Sequence, residues 1–507
     1  NIAVAMTPAA AAMPTVPFGE AVTGSIARTG AVERYSFTIT QPTAVVFDPL
    51  TNNSNFRWQI SGPSQTPAAR QFTASDSLNF SDNPVMLLQP GTYSLAISAG
   101  TATGSYAFRL LDLAQAAALT PGEQQSVTLN PGNMTQLFHF DAAAGERLFF
   151  DYMSGATLPY WRLIDPRGNT VFTPRSIGSD SQVELTETGR YTLMVEGRIA
   201  NAEPQTTAFR LVSMTDRSAA LTVGATTQGT VPLPGDRMRY SFSLAQDALL
   251  LFDSLTGNGN FRWSLTGPQG TTIQDRTFAN SDSQSRTDAT PFLAAAGDYV
   301  LTVWANNDVT GDYAFRLLDL ASASAIALDT VIDGLLEPAN STGLYRFAGE
   351  AGDKPFFDYL SSGPAGRWRL IDPQGRQIVY NNTGASSDMG PVVLTRSGTY
   401  TLVVEGHVTV AGASAPVQFK VSKLVDKVAP LTLGATHSGT FAQPQQEDVY
   451  RFTLAEGTLL LVDPLTSDGS LVWTLTGPRG EVASKGFQSS DGASVGAANP
   501  VLAVPAG

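Results

Sequence analysis

The sequence predicts an all-β chain, a tandem array of about five antiparallel β-sandwich domains, jelly-roll or Ig-like, of roughly 100 residues each in two alternating subtypes. Three observations carry the prediction. One motif recurs five times at nearly constant spacing, the apolar residues around it alternate with period two, and no apolar stripe of helical period runs for a full helix.

The motif begins where an apolar strand ends in aspartate, and a tryptophan follows ten positions later: Asp48 and Trp58, Asp151 and Trp161, Asp253 and Trp263, Asp358 and Trp368, Asp463 and Trp473. Five residues beyond each tryptophan stands a turn-forming proline, at Pro63, Pro166, Pro268, Pro373 and Pro478. A Ser-Asp pair comes next, ending at Asp76, Asp180, Asp282, Asp388 and Asp491. In four units a Gly-x-Tyr strand follows, from Gly91, Gly189, Gly297 and Gly398, and then a closing strand such as YAFRLLDL. The steps between motif aspartates are 151−48 = 103, 253−151 = 102, 358−253 = 105 and 463−358 = 105, so the units are near-copies.

The alternation places Phe56, Trp58 and Ile60 on one face of a strand and Arg57, Gln59 and Ser61 on the other, and Phe261, Trp263 and Leu265 repeat the pattern. Trp58, Trp161, Trp263, Trp368 and Trp473 are therefore expected as core anchors. Trp304, outside the pattern, is expected at the surface. The outward arginines Arg57, Arg109, Arg262 and Arg316 are expected to pair across the sheet with acidic residues, with a contact to a neighbouring repeat or subunit as a further role.

Units one, three and five (type A) carry FDPLT, FDSLT or VDPLT, whereas units two and four (type B) carry FFDY, WRLIDP and VEG. The boundaries fall at 1–12 (last strand of a preceding repeat plus linker), 13–113, 114–216, 217–320, 321–427 and 428–507. The fifth unit reaches Gly507 without its final strands, and Asn1 to Met6 reads as a strand of a preceding repeat. The expectation is a segment of a longer array, with strand addition between identical chains head to tail as the alternative.

Composition limits the function. With 31 Lys plus Arg against 44 Asp plus Glu, the charge of −13 disfavours nucleic acid. No apolar run approaches the ~20 residues of a spanning helix, so no membrane span is expected. Cysteine is absent, so each core must hold without disulfides.

The recurrent aspartates Asp48, Asp76, Asp151, Asp180, Asp253, Asp282, Asp358, Asp388, Asp463 and Asp491 are the candidate metal ligands, with Ca²⁺ as the ion their oxygens would suit. The competing reading makes them turn and loop caps, and then no cofactor is required. His139, His407 and His437 have no counterparts between units, and no HExxH, GxSxG or phosphate-cradling glycine loop occurs, so no catalytic or cofactor-binding residue is assigned.

The order of apolar strand, Asp, Trp strand, D-P-x-G turn, Ser-Asp loop and G-x-Y-x-L-x-V strand resembles the bacterial pre-peptidase C-terminal domain. That resemblance implies a small β-sandwich with an accessory, non-catalytic, extracellular or cell-surface role. The expected function is a structural repeat protein forming a stalk, fibre or surface filament. The alternatives are a multivalent adhesin for carbohydrate or surfaces, and an accessory region of a secreted hydrolase whose catalytic domain lies elsewhere.

Overall fold

The computed structural model describes residues 13–63, 68–75, 77–281, 290–361, 367–380, 387–410, 412–490 and 500–507. Of these, 54% are strand and 3% helix, the latter short 3₁₀ turns. The chain divides into two compact units: Asn1–Ser322 with Pro338–Thr342 and Glu405–Gly412, and Ala323–Glu337 with Gly343–Val404 and Ala413–Gly507.

Repeat 1 shows how the pattern becomes structure. Its strands are β1 (Val22–Ile26), β2 (Val32–Ile39), β3 (Thr43–Pro49), β4 (Arg57–Ser61), β5 (Ala68–Gln71), β6 (Met86–Leu88), β7 (Gly91–Ser98) and β8 (Gly104–Asp112). They form two sheets, β1-β8-β3-β6 and β2-β7-β4-β5, with antiparallel neighbours throughout. Period two is realised as read: β4 buries Trp58 and Ile60 and exposes Arg57, Gln59 and Ser61. The two inner faces meet around Trp58, which stacks on Phe47 with centroids 4.5 Å apart.

Repeats 2 and 3 repeat this strand order. Four of the five motif tryptophans, Trp58, Trp161, Trp263 and Trp368, are almost fully buried. Trp473 is half-buried, in a repeat where Leu459, Leu461, Leu465 and Val472 are exposed.

The expectation of an array of separate β-sandwich domains, jelly-roll or Ig-like, is corrected here. In repeat 1 the chain crosses from sheet to sheet at nearly every connection, about three circuits per repeat. Counted along the chain, this winding makes a β-solenoid of about 15 turns. Its ladders are antiparallel and close within each repeat, apart from a parallel strand at each joint.

Those joints are what remove the separateness, because the connectors are strands rather than linkers. Asp112 caps the turn Leu113–Gln115 by accepting from the Ala114 N–H at 2.9 Å, and Ala117–Ala118 then pairs in parallel with Thr135–Ala142 of repeat 2. Likewise Asp216–Ala220 pairs in parallel with Arg237–Leu244 of repeat 3. In the second unit Lys427–Pro430 does the same with Asp448–Arg451. Repeats 1 and 2 also share a buried apolar cluster of Val46, Leu111, Leu113, Leu137, Ile164 and Met194, and Ile199 of repeat 2 lies within the core of repeat 1. Within the first unit, repeats 1, 2 and 3 are thus coupled to their neighbours by strand pairing, and repeats 1 and 2 also by shared core.

Candidate functional site

The most highly organised polar site in the first unit is the joint between a type A repeat and the type B repeat that follows. Asp48, next to last in β3, pairs directly with Arg109 of β8 on the face turned away from the repeat's own core. Repeat 2 covers that face, so both residues are buried. Arg109 donates to Asp48 Oδ2 from Nε at 2.8 Å and from Nη2 at 2.6 Å. Thr135, across the joint, donates its N–H to Oδ2 at 3.3 Å and its hydroxyl to Oδ1 at 3.0 Å. Arg109 Nη2 returns a hydrogen bond to the Thr135 carbonyl. Burial pushes the Asp48 carboxyl above its usual range, while the Arg109 charge and the Thr135 donors pull against it.

The same constellation recurs between repeats 3 and 4. Arg316 donates to Asp253 from Nε at 2.7 Å and to the Thr342 carbonyl at 2.7 Å, and the Thr342 hydroxyl donates to Asp253 Oδ1 at 2.8 Å. The type B half of each joint is a short string, Pro131-x-Asn133-x-Thr135 and Pro338-x-Asn340-x-Thr342. Its asparagine binds backbone on both sides. Asn133 Nδ2 donates to Leu50 O at 3.0 Å and Ile199 O at 3.4 Å, and Asn340 Nδ2 to Leu255 O at 3.0 Å and Val408 O at 3.4 Å.

The WRLIDP and VEG strings of type B serve the same joint. Arg162, 1% exposed, donates to three carbonyls of repeat 1, Asp82 at 2.6 Å, Phe80 at 2.7 Å and Ser77 at 3.3 Å. Glu196 of VEG balances its charge at 3.1 Å. A buried guanidinium is tolerable only when paired and hydrogen-bonded in this way. The glycine of VEG is a close approach: a Cβ on Gly197 would lie 2.1 Å from Gly132 O, and one on Gly406 2.2 Å from Ala339 O.

The outward arginines thus divide. Arg109 and Arg316 pair with acids as expected but are covered by the next repeat, whereas Arg262 pairs with the more exposed Asp275. Asp48 does not begin a turn; it lies within a strand and accepts three hydrogen bonds on Oδ2 and one on Oδ1. Arg109 neutralises the buried Asp48, and Arg316 does the same for Asp253.

The other aspartates behave differently. In type B repeats the two motif carboxylates come together. Asp151 pairs with Arg210 at 2.6 Å, and Asp180 accepts the Tyr152 N–H at 2.9 Å. Burial, then the charges of Asp151 and Asp308, hold the Asp180 carboxyl above its usual range. Asp388 accepts the Tyr359 N–H at 3.0 Å, and burial together with Asp388 raises Asp358. Asp463 is exposed, while Asp76, Asp282 and Asp491 lie outside the described residues, as do Asn1 to Met6. Among the described residues no three His, Asp or Glu side chains are grouped to hold a metal ion.

The serine of the Ser-Asp pair has a role that the sequence did not disclose. In type A repeats it accepts the indole N–H, Trp58 to Ser75 at 2.7 Å, Trp263 to Ser281 at 2.7 Å and Trp473 to Ser490 at 2.9 Å. The Trp161 and Trp368 indoles have no such partner among the described residues. The histidines make local contacts, for example His139 Nδ1 with Ala116 O at 2.8 Å. No helix among the described residues is long and apolar enough to cross a membrane.

No family model matches the chain, and no curated protein matches it. Among solved structures, part of the chain is similar to Aeromonas hydrophila PliG, a periplasmic lysozyme inhibitor of g-type lysozyme, at 14% identity over 19% of this chain and 95% of that one, with a TM-score of 0.18. It is also similar to the pre-peptidase C-terminal domain of collagenase from Bacillus anthracis, at 16% identity over 20% of this chain and 95% of that one, TM-score 0.16. A third likeness is to the CUB1-EGF-CUB2 domain of human MASP-1/3, at 9% identity over 38% and 99%, TM-score 0.15.

Proposed function

We propose that the chain is a non-catalytic structural segment of an extracellular or cell-surface protein, a spacer whose repeats are locked in pairs to carry load. The observation that supports this reading is the repetition of one buried joint, Asp48–Arg109–Thr135 and Asp253–Arg316–Thr342, at equivalent places 205 residues apart (253−48 = 205). A catalytic protein needs one specialised site; a spacer needs the same joint many times. Buried charge pairs of this kind contribute specificity of docking more surely than net stability.

Stretching the full chain in a single-molecule force experiment tests the reading. Locked pairs release about 205 residues per event, roughly 700 Å of contour at ~3.4 Å per residue, and separate repeats release about half that. Events of the pair length support a load-bearing pair. A trace made only of single-repeat events at low force overturns it.

A further inference from the structure

Repeat 3 carries a surface that its counterpart in repeat 1 lacks. Strands Arg237–Leu244, Gly297–Ala305 and Phe261–Gly267 lie side by side and antiparallel, and their inner face, with Tyr240, Trp263 and Leu301, belongs to the core. The register sets Arg237, Trp304 and Arg262 in one cross-strand row of the outer face, and Arg239, Thr302 and Ser264 in the next. A groove of about 340 Å³ runs over these rows, bounded at its far end by Val300 and Thr266. At the same positions repeat 1 has Val32 and Ser98 in place of Arg237 and Trp304.

The charges in the groove are unevenly balanced. Asp216 pairs with Arg239 at 2.7 Å, and Asp275 pairs with Arg262. Arg237 is half-buried and has no ion-pair partner among the described residues. Burial and the nearby positive charges of Arg147 and Arg239 push its pKa down against the pull of Asp216 and Glu184. A guanidinium crowded by like charges and short of a counter-ion is a standing site for an anion, and its planar fork suits a carboxylate or sulfate held by two hydrogen bonds. The half-buried Trp304 beside it gives a flat apolar wall, and the hydroxyl-bearing Thr302, Ser264 and Thr266 supply donors and acceptors.

We propose that this face binds an acidic saccharide, with a sugar ring against the Trp304 indole, its carboxylate or sulfate on Arg237, and its hydroxyls among Ser264, Thr266 and Thr302. The site is separate from the Asp48 and Asp253 joints, although its Arg237 strand also pairs with the Asp216–Ala220 connector, and it adds a surface-binding activity to the spacer. Its occurrence on one repeat, and not on repeat 1, makes it a specialised patch rather than a property of the fold.

Calorimetric titration of the full chain, run alongside tryptophan fluorescence, tests this with three probes: a trigalacturonate for carboxylate, a sulfated heparin-derived oligosaccharide for sulfate, and maltotriose as a neutral control. The expected result is one site per chain for an anionic probe, at least about tenfold tighter than for maltotriose, and weakened on raising the salt to about 1 M. The better anionic probe identifies the charged group. Trp304→Ser and Arg237→Val install the residues of repeat 1, so each should leave the melting temperature unchanged and weaken binding at least about tenfold. Equal affinity for maltotriose, no binding of any probe, or unaltered binding by both folded variants overturns the proposal.

Discussion

Removing the carboxylate of Asp48 isolates what one joint contributes. Asp48→Asn keeps the shape but leaves the buried Arg109 guanidinium without its counter-charge and weakens the acceptor for the Thr135 hydroxyl at 3.0 Å. Breaking a buried pair from one side costs about 3–5 kcal/mol. Thr135→Val removes one hydrogen bond to a charged group, about 1.5–3 kcal/mol. Both substitutions act on one carboxylate, so the double variant should fall short of their sum by about the Thr135→Val loss. For a cooperative pair of some 205 residues, each kcal/mol moves the melting temperature by about 2–4 °C, so Asp48→Asn should lower it by roughly 6–20 °C. Differential scanning calorimetry of the full chain has an internal reference, because the equivalent joint at Asp253 is untouched and its transition should stay in place. A shift below about 3 °C, or losses that add within ~0.5 kcal/mol, would refute the reasoning.

Four further outcomes follow from the same structure. Arg162→Met leaves three carbonyls of repeat 1 and the Glu196 carboxylate without their donor, and should destabilise by about 3–5 kcal/mol, read as a lower urea midpoint. Gly197→Ala drives a Cβ into Gly132 O, so amide exchange should speed up around Met134 and Thr135 while the inner core of repeat 1 stays protected. Ser75→Ala strands the buried Trp58 N–H and should cost about 1–3 kcal/mol by chemical denaturation. The N–H of Glu350 and then Lys423 hold the Asp353 carboxyl below its usual value of 3.8. Its contribution is therefore complete above that value and is lost as pH falls through the lowered one; Asp353→Asn should flatten the acid limb of a stability profile between about pH 5 and 2.

Much of this was legible in the residues. The ten-residue interval from Asp to Trp recurs because it spans one strand-turn-strand step, and period two around Trp58 and Trp263 marks the buried face that the strands show. The relation between repeats was not legible. Asp48 and Thr135 are 87 positions apart and belong to different subtypes, so no local pattern joins them. Period two places the arginine of AFRL outward, which is true of its own sheet, but its burial comes from a neighbour that period two does not register. The signals that could have exposed the joint were the polar members of the type B strings PxNxT, WRLI and VEG, the Asn, Thr, Arg and Glu that have no use inside a repeat that folds alone. Trp304 was placed at the surface, but its arginine neighbours come from other strands and only the register assembles them.

The joint also limits how such an array can change its length. Type B supplies Thr135 where the type A repeats 1 and 3 have Val32 and Arg237, so a type A repeat followed by another type A repeat would face a buried aspartate and arginine with an apolar side chain or a second guanidinium. Gene segments built from near-copies expand and contract by unequal exchange, and an exchange that shifts the array by one repeat would create that mismatched neighbour. An exchange that shifts it by two restores every donor to its acceptor. The chemistry of Asp48 and Thr135 therefore acts as a reading frame for evolution at a scale of about 205 residues, and relatives of this chain should differ in length by whole pairs.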